Sequence, residues 1–259
     1  MTAIDYTDVT EAHGNQISRQ ALDMMWTRYA FAAALSEGRD VLEVACGAGQ
    51  GLGVLRARAR RVIGADYTEA LLRMARAHYG GRTPLARLDA QRLPFRDRSF
   101  DLVILYEALY YLPDPAAFIG EARRVLRPEG RLVICTVNRE WADFNPSPFS
   151  TTYHSAGELR ALLTSGGFTT SVFGAFPVER ATLRDHVVSA VKRSAVALGL
   201  VPKTMRGKKL LKRLFMGPLV DFPAEIRDGV ASYHDPVPLS DAGSRPVDGY
   251  KVLYAVGVA

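Results

Sequence analysis

The sequence of 259 residues predicts an α/β fold, a doubly wound and mostly parallel sheet in a single domain. Two observations carry that expectation. Between Asp40 and Phe176, short runs rich in Val, Ile and Leu alternate with stretches of helical periodicity, the rhythm of βαβ units. Several runs are apolar almost throughout, as in DLVILY (101–106) and LVICTV (132–137), which suits strands covered by helices on both faces.

Taken in order, residues 16–36 fit a helix with Ile17, Ala21, Met24, Met25, Ala32 and Leu35 roughly on one side. Strands are expected near 40–45, 61–65, 84–88, 100–106, 131–137 and 168–176. Thr68 can cap a helix that turns Leu71, Leu72 and Ala75 inward. Asp114 and Pro115 open another with Phe118, Ile119, Ala122, Val125 and Leu126 inside, and Pro128 and Gly130 close it. Ser155 and Glu158 form a capping box for a third, whose inner face is Leu159, Leu162 and Leu163 and whose stop is Gly166 and Gly167. Residues 177–248 make a long connection with helical patterns at 182–198 and 204–215, and 249–259 alternates like a strand.

Composition narrows the function. The two cysteines, Cys46 and Cys135, have neither metal-ligand spacing nor a paired neighbour, so a disulfide framework and a metal site are not expected. The opening residues lack a basic and then apolar leader, and no run approaches a membrane span, so the expectation is a cytoplasmic protein. The net charge of +6 leaves an anionic partner open.

The segment that carries chemistry is VLEVACGAGQG (41–51), an apolar strand running into a glycine turn that opens a helix. Glycine lets backbone approach a ligand, and the helix start presents free amides, an arrangement suited to a nucleotide-like cofactor. The dinucleotide fingerprint G-x-G-x-x-G/A fails, because the sixth position is Leu52 or Val54 according to the starting glycine. The next strand, RVIGAD (61–66), ends in Asp66, whose carboxylate can accept both hydroxyls of a ribose.

Glu43, Ala45, Gly47 and Gly49 instead match the E/D-x-(G/A)-x-G-x-G signature, and the chain resembles class I S-adenosylmethionine-dependent methyltransferases of the type 11-like group. The later segments ARLDAQRLPF (86–95), SFDLVILYEALYYLPDP (99–115) and RRVLRPEGRLVI (123–134) are similar to that family's motifs in the same order, with Glu129 standing where glycine is usual. The resemblance implies a Rossmann-like seven-stranded sheet with an antiparallel last strand, and S-adenosyl-L-methionine as cofactor. It assigns the adenine amino group to Asp89, with the Ala90 amide facing the ring, and the methionine part to Tyr106 and Glu107. Tyr67, next to the ribose carboxylate, joins the cofactor residues. It also implies an N-terminal helical lid (1–39) over a cofactor-binding core (40–176). In such a lid Arg28 is a candidate partner for the cofactor carboxylate through a bidentate fork. Residues 177–248 are then a substrate cap and 249–259 the last strand.

Methyl transfer from a sulfonium needs no acid for the leaving group, so the protein mainly aligns the reactants. If the acceptor is a hydroxyl or protonated amine, a base helps, and His154, beside the helix start at Ser155, is the catalytic candidate. A surface histidine packing beside Tyr153 is the plainer reading of it. Tyr29, Tyr110, Tyr111 and Trp141 are candidate walls for an acceptor pocket, or simply core. The basic run KTMRGKKLLKRLF (203–215) reads as a solvated helix face, an anionic membrane surface contact that would place the protein peripherally, or a grip on a phosphate-bearing substrate. The function expected is methylation of a small-molecule, sugar or lipid-linked acceptor. The alternatives are a non-catalytic cofactor-binding protein and an RNA methyltransferase. Nucleic acid is the weaker partner, because Tyr106-Glu107-Ala108-Leu109 is not the N/D-P-P-Y/F signature of many amino-methylating nucleic-acid enzymes.

Overall fold

The computed structural model describes residues 14–178, 219–240 and 245–259, together with 6, 7, 10 and 243. The helical patterns at 182–198 and 204–215, and with them the basic run 203–215, lie outside the described residues.

In chain order the elements are β1 (Gln16–Ser18), α1 (Arg19–Ala34), β2 (Asp40–Val44), α2 (Leu52–Arg56), β3 (Arg61–Asp66), α3 (Glu69–Tyr79), β4 (Leu85–Arg87) and β5 (Phe100–Tyr106). A single 3-10 turn, Leu109–Tyr111, leads to α4 (Pro115–Val125) and β6 (Leu126–Val137). Then come α5 (Ala156–Ser165), β7 (Thr169–Pro177), β8 (Leu219–Asp221), β9 (Val237–Pro238) and β10 (Tyr250–Val258).

The main sheet runs β4-β3-β2-β5-β6-β10-β7-β9. β4, β3, β2, β5 and β6 pair in parallel, and β10 slots antiparallel between β6 and β7. The alternating faces of the central strands then divide the core in two. Leu42, Val44, Val103, Leu105, Leu132 and Ile134 meet Phe118, Ile119 and Ala122 of α4 and Leu159 and Leu163 of α5. Val41, Leu102, Ile104, Val133 and Cys135 meet α1, α2 and α3 through Trp26, Tyr29, Leu52, Leu55, Leu72 and Tyr79. Each such Leu or Phe side chain, fully buried, contributes about 1.5–3 kcal/mol of apolar transfer. Chain order reverses at β2, which has β3 on one side and β5 on the other. That switch point leaves a crevice beyond the carboxyl ends of the strands.

Several local expectations change. Residues 16–18 are a strand and not the first turn of α1: they pair antiparallel with β8, Ile17 opposite Val220. Ser18 ends that strand and caps α1, its hydroxyl accepting from the Ala21 amide. Cross-strand bonds to a partner more than two hundred residues away thus win over one more helical turn. Thr68 stands at the cap position of α3 but makes no side-chain capping bond, and its own amide donates to Asp66 Oδ1 at 2.8 Å. β6 starts at Leu126, directly after α4, with Pro128 and Gly130 inside the strand span. Among the described residues the sheet holds the seven strands expected, with the last antiparallel, and adds the two-residue β9 on the outer edge of β7. The capping box of Ser155 and Glu158 is present as expected.

The return limb of the long connection docks back on the N-terminal half. Phe222 and Ile226 are buried in the core beside α1 and α2. The Ile226 amide donates to the Gln50 carbonyl, and the His234 amide to Thr27 Oγ1. Among the described residues, no helix is long and apolar enough to cross a membrane.

Candidate active site

A cavity of about 580 Å³ opens at the switch point, beyond the ends of β2, β3 and β5, within the size range of small-ligand sites. Its floor is the turn after β2. Ala45 has φ 59° and Gly47 φ 58°, left-handed backbone that folds the chain sharply out of the strand. The Gly47 amide donates to Asp66 Oδ2 at 2.8 Å, so the first turn and the tip of β3 are locked together.

Tyrosines from two helices hold this turn. Tyr79 of α3 donates to the Gly49 carbonyl at 2.7 Å and accepts from the Gly53 amide at 3.1 Å. Tyr29 of α1 lies so close over Gly51 that a Cβ there would sit 1.9 Å from its ring. The Tyr29 hydroxyl donates to Glu43 Oε1 at 2.5 Å, across a buried contact. The approach of Tyr29 on α1 therefore by itself requires glycine at position 51.

Burial sets the electrostatics. Glu43 is fully enclosed, and its carboxyl is pushed up to about 7; the Tyr29 hydrogen bond opposes burial, and the nearby Asp66 charge adds to it. Burial also raises Asp66 above the usual carboxylate range, against the backbone bonds from Thr68 and Gly47. Burial alone would lower Arg28, but the facing Glu107 and its other neighbours raise it overall, so the guanidinium stays charged. Arg28 Nη1 stands 3.5 Å from Glu107 Oε1. The Arg28 carbonyl accepts from Tyr106 at 2.9 Å, so the Tyr106 hydroxyl is spent on α1.

Of the residues singled out from sequence, Arg28, Ala45, Gly47, Asp66, Tyr67, Asp89, Ala90 and Tyr106 all line this cavity. Tyr29, Tyr110 and Tyr111 line it too. Glu43, Gly49, Trp141 and His154 do not. Glu43 and Gly49 lie behind the wall, bound to Tyr29 and Tyr79. Trp141 packs under Lys251 Nζ, 5.5 Å from its ring centroid. His154 precedes α5, where burial lowers its pKa against the pull of Glu158.

Other wall residues carried no signal of function in the sequence. Tyr6 lies in a stretch without periodicity, yet its ring meets Tyr67 at 6.3 Å and Tyr111 at 5.1 Å and spans the two ends of the cavity. Met24 and Met25 read as ordinary inward residues of a helix. Gln91 and Ser147 lie on loops, and only folding brings them to the wall.

The wall has two halves of different chemistry. At one end Asp66, Leu88, Asp89 and Ala90 offer carboxylates beside an apolar slot, which suits a nucleoside. The same wall also carries the apolar Met24, Met25, Leu112, Val137 and Val252, together with Glu107, to which the Tyr110 hydroxyl donates, and Tyr111 beside the Tyr110 ring. Between them Arg28 carries a buried Nε with no hydrogen-bond partner among the described residues. A buried cation with an unused donor in a cavity wall suits an anionic group such as a carboxylate. The donors present thus fit a nucleoside with an amino-acid tail. No cluster of metal-ligating side chains occurs among the described residues.

Comparison with known proteins agrees with that chemistry. Residues 42–134 match the family model described as a methyltransferase domain. A probable S-adenosylmethionine-dependent methyltransferase of Mycolicibacterium smegmatis is 41% identical over 137 residues, 51% of this chain and 52% of that protein. A demethylmenaquinone methyltransferase of Clavibacter sepedonicus is 34% identical over 138 residues, 52% of this chain and 53% of that protein. The chain thus spans about half the length of these curated relatives. In fold it is similar to a crystal structure from Thermotoga maritima described as a SAM-dependent methyltransferase and possible histamine N-methyltransferase. The TM-score is 0.57 at 16% identity, over 90% of this chain and 88% of that one.

Proposed function

We propose that this chain, whose residues 42–134 match the methyltransferase-domain model, is a class I methyltransferase that transfers the methyl group of S-adenosyl-L-methionine to a small, largely apolar acceptor. The observation that carries this is the single cavity with two chemistries, a nucleoside end at Asp66 and Asp89 and an apolar aromatic end at Tyr110 and Tyr111. The relative from Clavibacter sepedonicus, a demethylmenaquinone methyltransferase by name, supports an apolar acceptor of the quinone kind over a sugar. Contact of residues 203–215 with a membrane or a phosphate has no support among the described residues.

When bound, the cofactor supplies an electrophilic methyl group. The chain's own part is to bind and to orient. Asp66 is placed for the ribose hydroxyls, Asp89 and the Ala90 amide for the adenine, and Arg28 for the carboxylate. Bringing donor and acceptor into line accounts for a large share of such a rate enhancement. The Arg28 to Glu107 pair, largely shielded from solvent, also fixes α1 to the tip of β5 and so closes the wall.

Mass spectrometry of small molecules retained by the purified protein, with calorimetric titration of S-adenosylhomocysteine, tests the reading. Retention or micromolar binding of that nucleoside is the expected result. Binding of NAD with no affinity for S-adenosylhomocysteine would reject it.

A further inference from the structure

We propose, resting on the methyltransferase reading above, that Glu107 is the catalytic residue that takes the proton from a hydroxyl of an uncharged, apolar acceptor, with Tyr110 and Arg28 bracing its carboxylate. Glu107 is the first residue past β5, beside the switch point, and it lines the acceptor end of the cavity. Its backbone sits at φ 50°, a left-handed conformation that costs a residue with a Cβ about 1–2 kcal/mol. Its amide donates to the Cys135 carbonyl at 2.8 Å, which keeps it there. Strain held in place at a cavity wall aims a side chain where relaxed backbone would not.

The partners define what the carboxylate can do. Oε1 faces Arg28 Nη1 at 3.5 Å, and Oε2 accepts from the Tyr110 hydroxyl at 3.2 Å. Tyr110 stacks on Tyr153, ring centroids 4.3 Å apart, so its hydroxyl is well oriented. Burial, and next the Glu107 charge, raise the Tyr110 pKa, so it remains a phenol that donates. An acceptor hydroxyl joins a carboxylate already held on several sides, with Cys135 Sγ also 3.9 Å from Oε1.

Charge and surroundings choose the acceptor class. Arg28 and Glu107 face each other here, so a cationic acceptor would meet the guanidinium and an anionic one the carboxylate. Met24, Met25, Leu112, Val137 and Val252 favour a hydrocarbon or ring body. Among the described residues no histidine lines the cavity, and the other wall carboxylates, Asp66 and Asp89, lie at the nucleoside end.

The transfer balances within the site. The acceptor O–H bond breaks and its proton passes to Glu107. The O–CH3 bond forms, and the S–CH3 bond breaks with its electron pair left on sulfur. One positive sulfonium and one negative carboxylate become neutral together, so no net charge is left in the site.

The test uses the full chain with S-adenosylhomocysteine present and 2-naphthol as the hydroxyl probe, set against naphthalene and the cationic 2-(aminomethyl)naphthalene. Wild type is expected to bind 2-naphthol at least tenfold more tightly than either control. Glu107→Ala should abolish that discrimination, and Tyr110→Phe should weaken it about threefold to tenfold, with folding of both checked by thermal melting. With S-adenosylmethionine, wild type should form the methyl ether, and Glu107→Gln should lower kcat at least about 100-fold, as for loss of a positioned base. Preference for the cation, no preference for the hydroxyl, naphthol bound without any ether formed, or equal turnover by the Gln variant would each overturn the proposal. Failure of wild type to bind S-adenosylhomocysteine at all is a different result, and it would strike the methyltransferase reading itself.

Discussion

Removing one oxygen atom, by Tyr29→Phe, probes how α1 is fixed over the cofactor turn. The Tyr29 hydroxyl donates to Glu43 Oε1 at 2.5 Å, and Glu43 Oε2 has no hydrogen-bond partner among the described residues. The variant therefore leaves a buried carboxyl with neither oxygen bonded, and the cost depends on whether that carboxyl is charged. Glu43 is an acid whose folded pKa, about 7, lies above its ordinary value of 4.5, because burial penalises its ion. Its protonated form is the one that folding favours. The stability it confers is complete below pH 4.5, is lost progressively as pH rises towards 7, and is gone above that. At pH 5.5 the lost bond is one between neutral groups, and Tyr29→Phe should cost about 1 kcal/mol. At pH 8.5 the lost bond is to an ion, and the cost should rise to about 2–3 kcal/mol. Urea unfolding at both pH values, followed by the fluorescence of buried Trp26 on the same helix, measures the difference. In a Glu43→Gln background the pH dependence of the Tyr29→Phe cost should vanish. An equal cost at pH 5.5 and 8.5 in the presence of Glu43 would refute the reasoning.

Three further outcomes follow from single positions. Gly51→Ala places a methyl group 1.9 Å from the Tyr29 ring, so it should destabilise the fold by about 1–3 kcal/mol or more through displacement of α1, seen as a lower Tm. Glu129 is exposed and sits at φ 63°, so Glu129→Gly should raise stability by about 0.5–1 kcal/mol, the left-handed strain relieved less the extra freedom of the unfolded chain. Asp89 is exposed, its Oδ1 accepting from the Gln91 amide, so Asp89→Ala should weaken S-adenosylhomocysteine about tenfold by calorimetry while Tm stays within a degree or two. A fall in Tm with affinity intact would reverse the role given to that residue.

The sequence by itself determined the sheet strands, the order of cofactor segments and most caps, because these depend on neighbours close in the chain. Near-continuous apolar runs mark β2, β5 and β6 as strands covered on both faces, and Ser155 with Glu158 closes its capping box within one turn. The position of Asp66 was legible because it ends a strand, and in the structure it bonds the Gly47 amide of the neighbouring turn. Only the tertiary structure decided what Gly51 is for, since Tyr29 reaches it from another helix. The same holds for β1, which became a strand because β8 supplies its hydrogen bonds from the far end of the long connection. His154 and Glu107 make the contrast plain. A histidine next to a helix start looks catalytic in one dimension, but it lies outside the cavity wall, while Glu107, assigned from sequence to the methionine part, owes the role proposed above to Arg28 on α1 and Tyr110 beyond the strand. Periodicity reports which side of an element is buried, and it carries no information about which distant side chain will be waiting there.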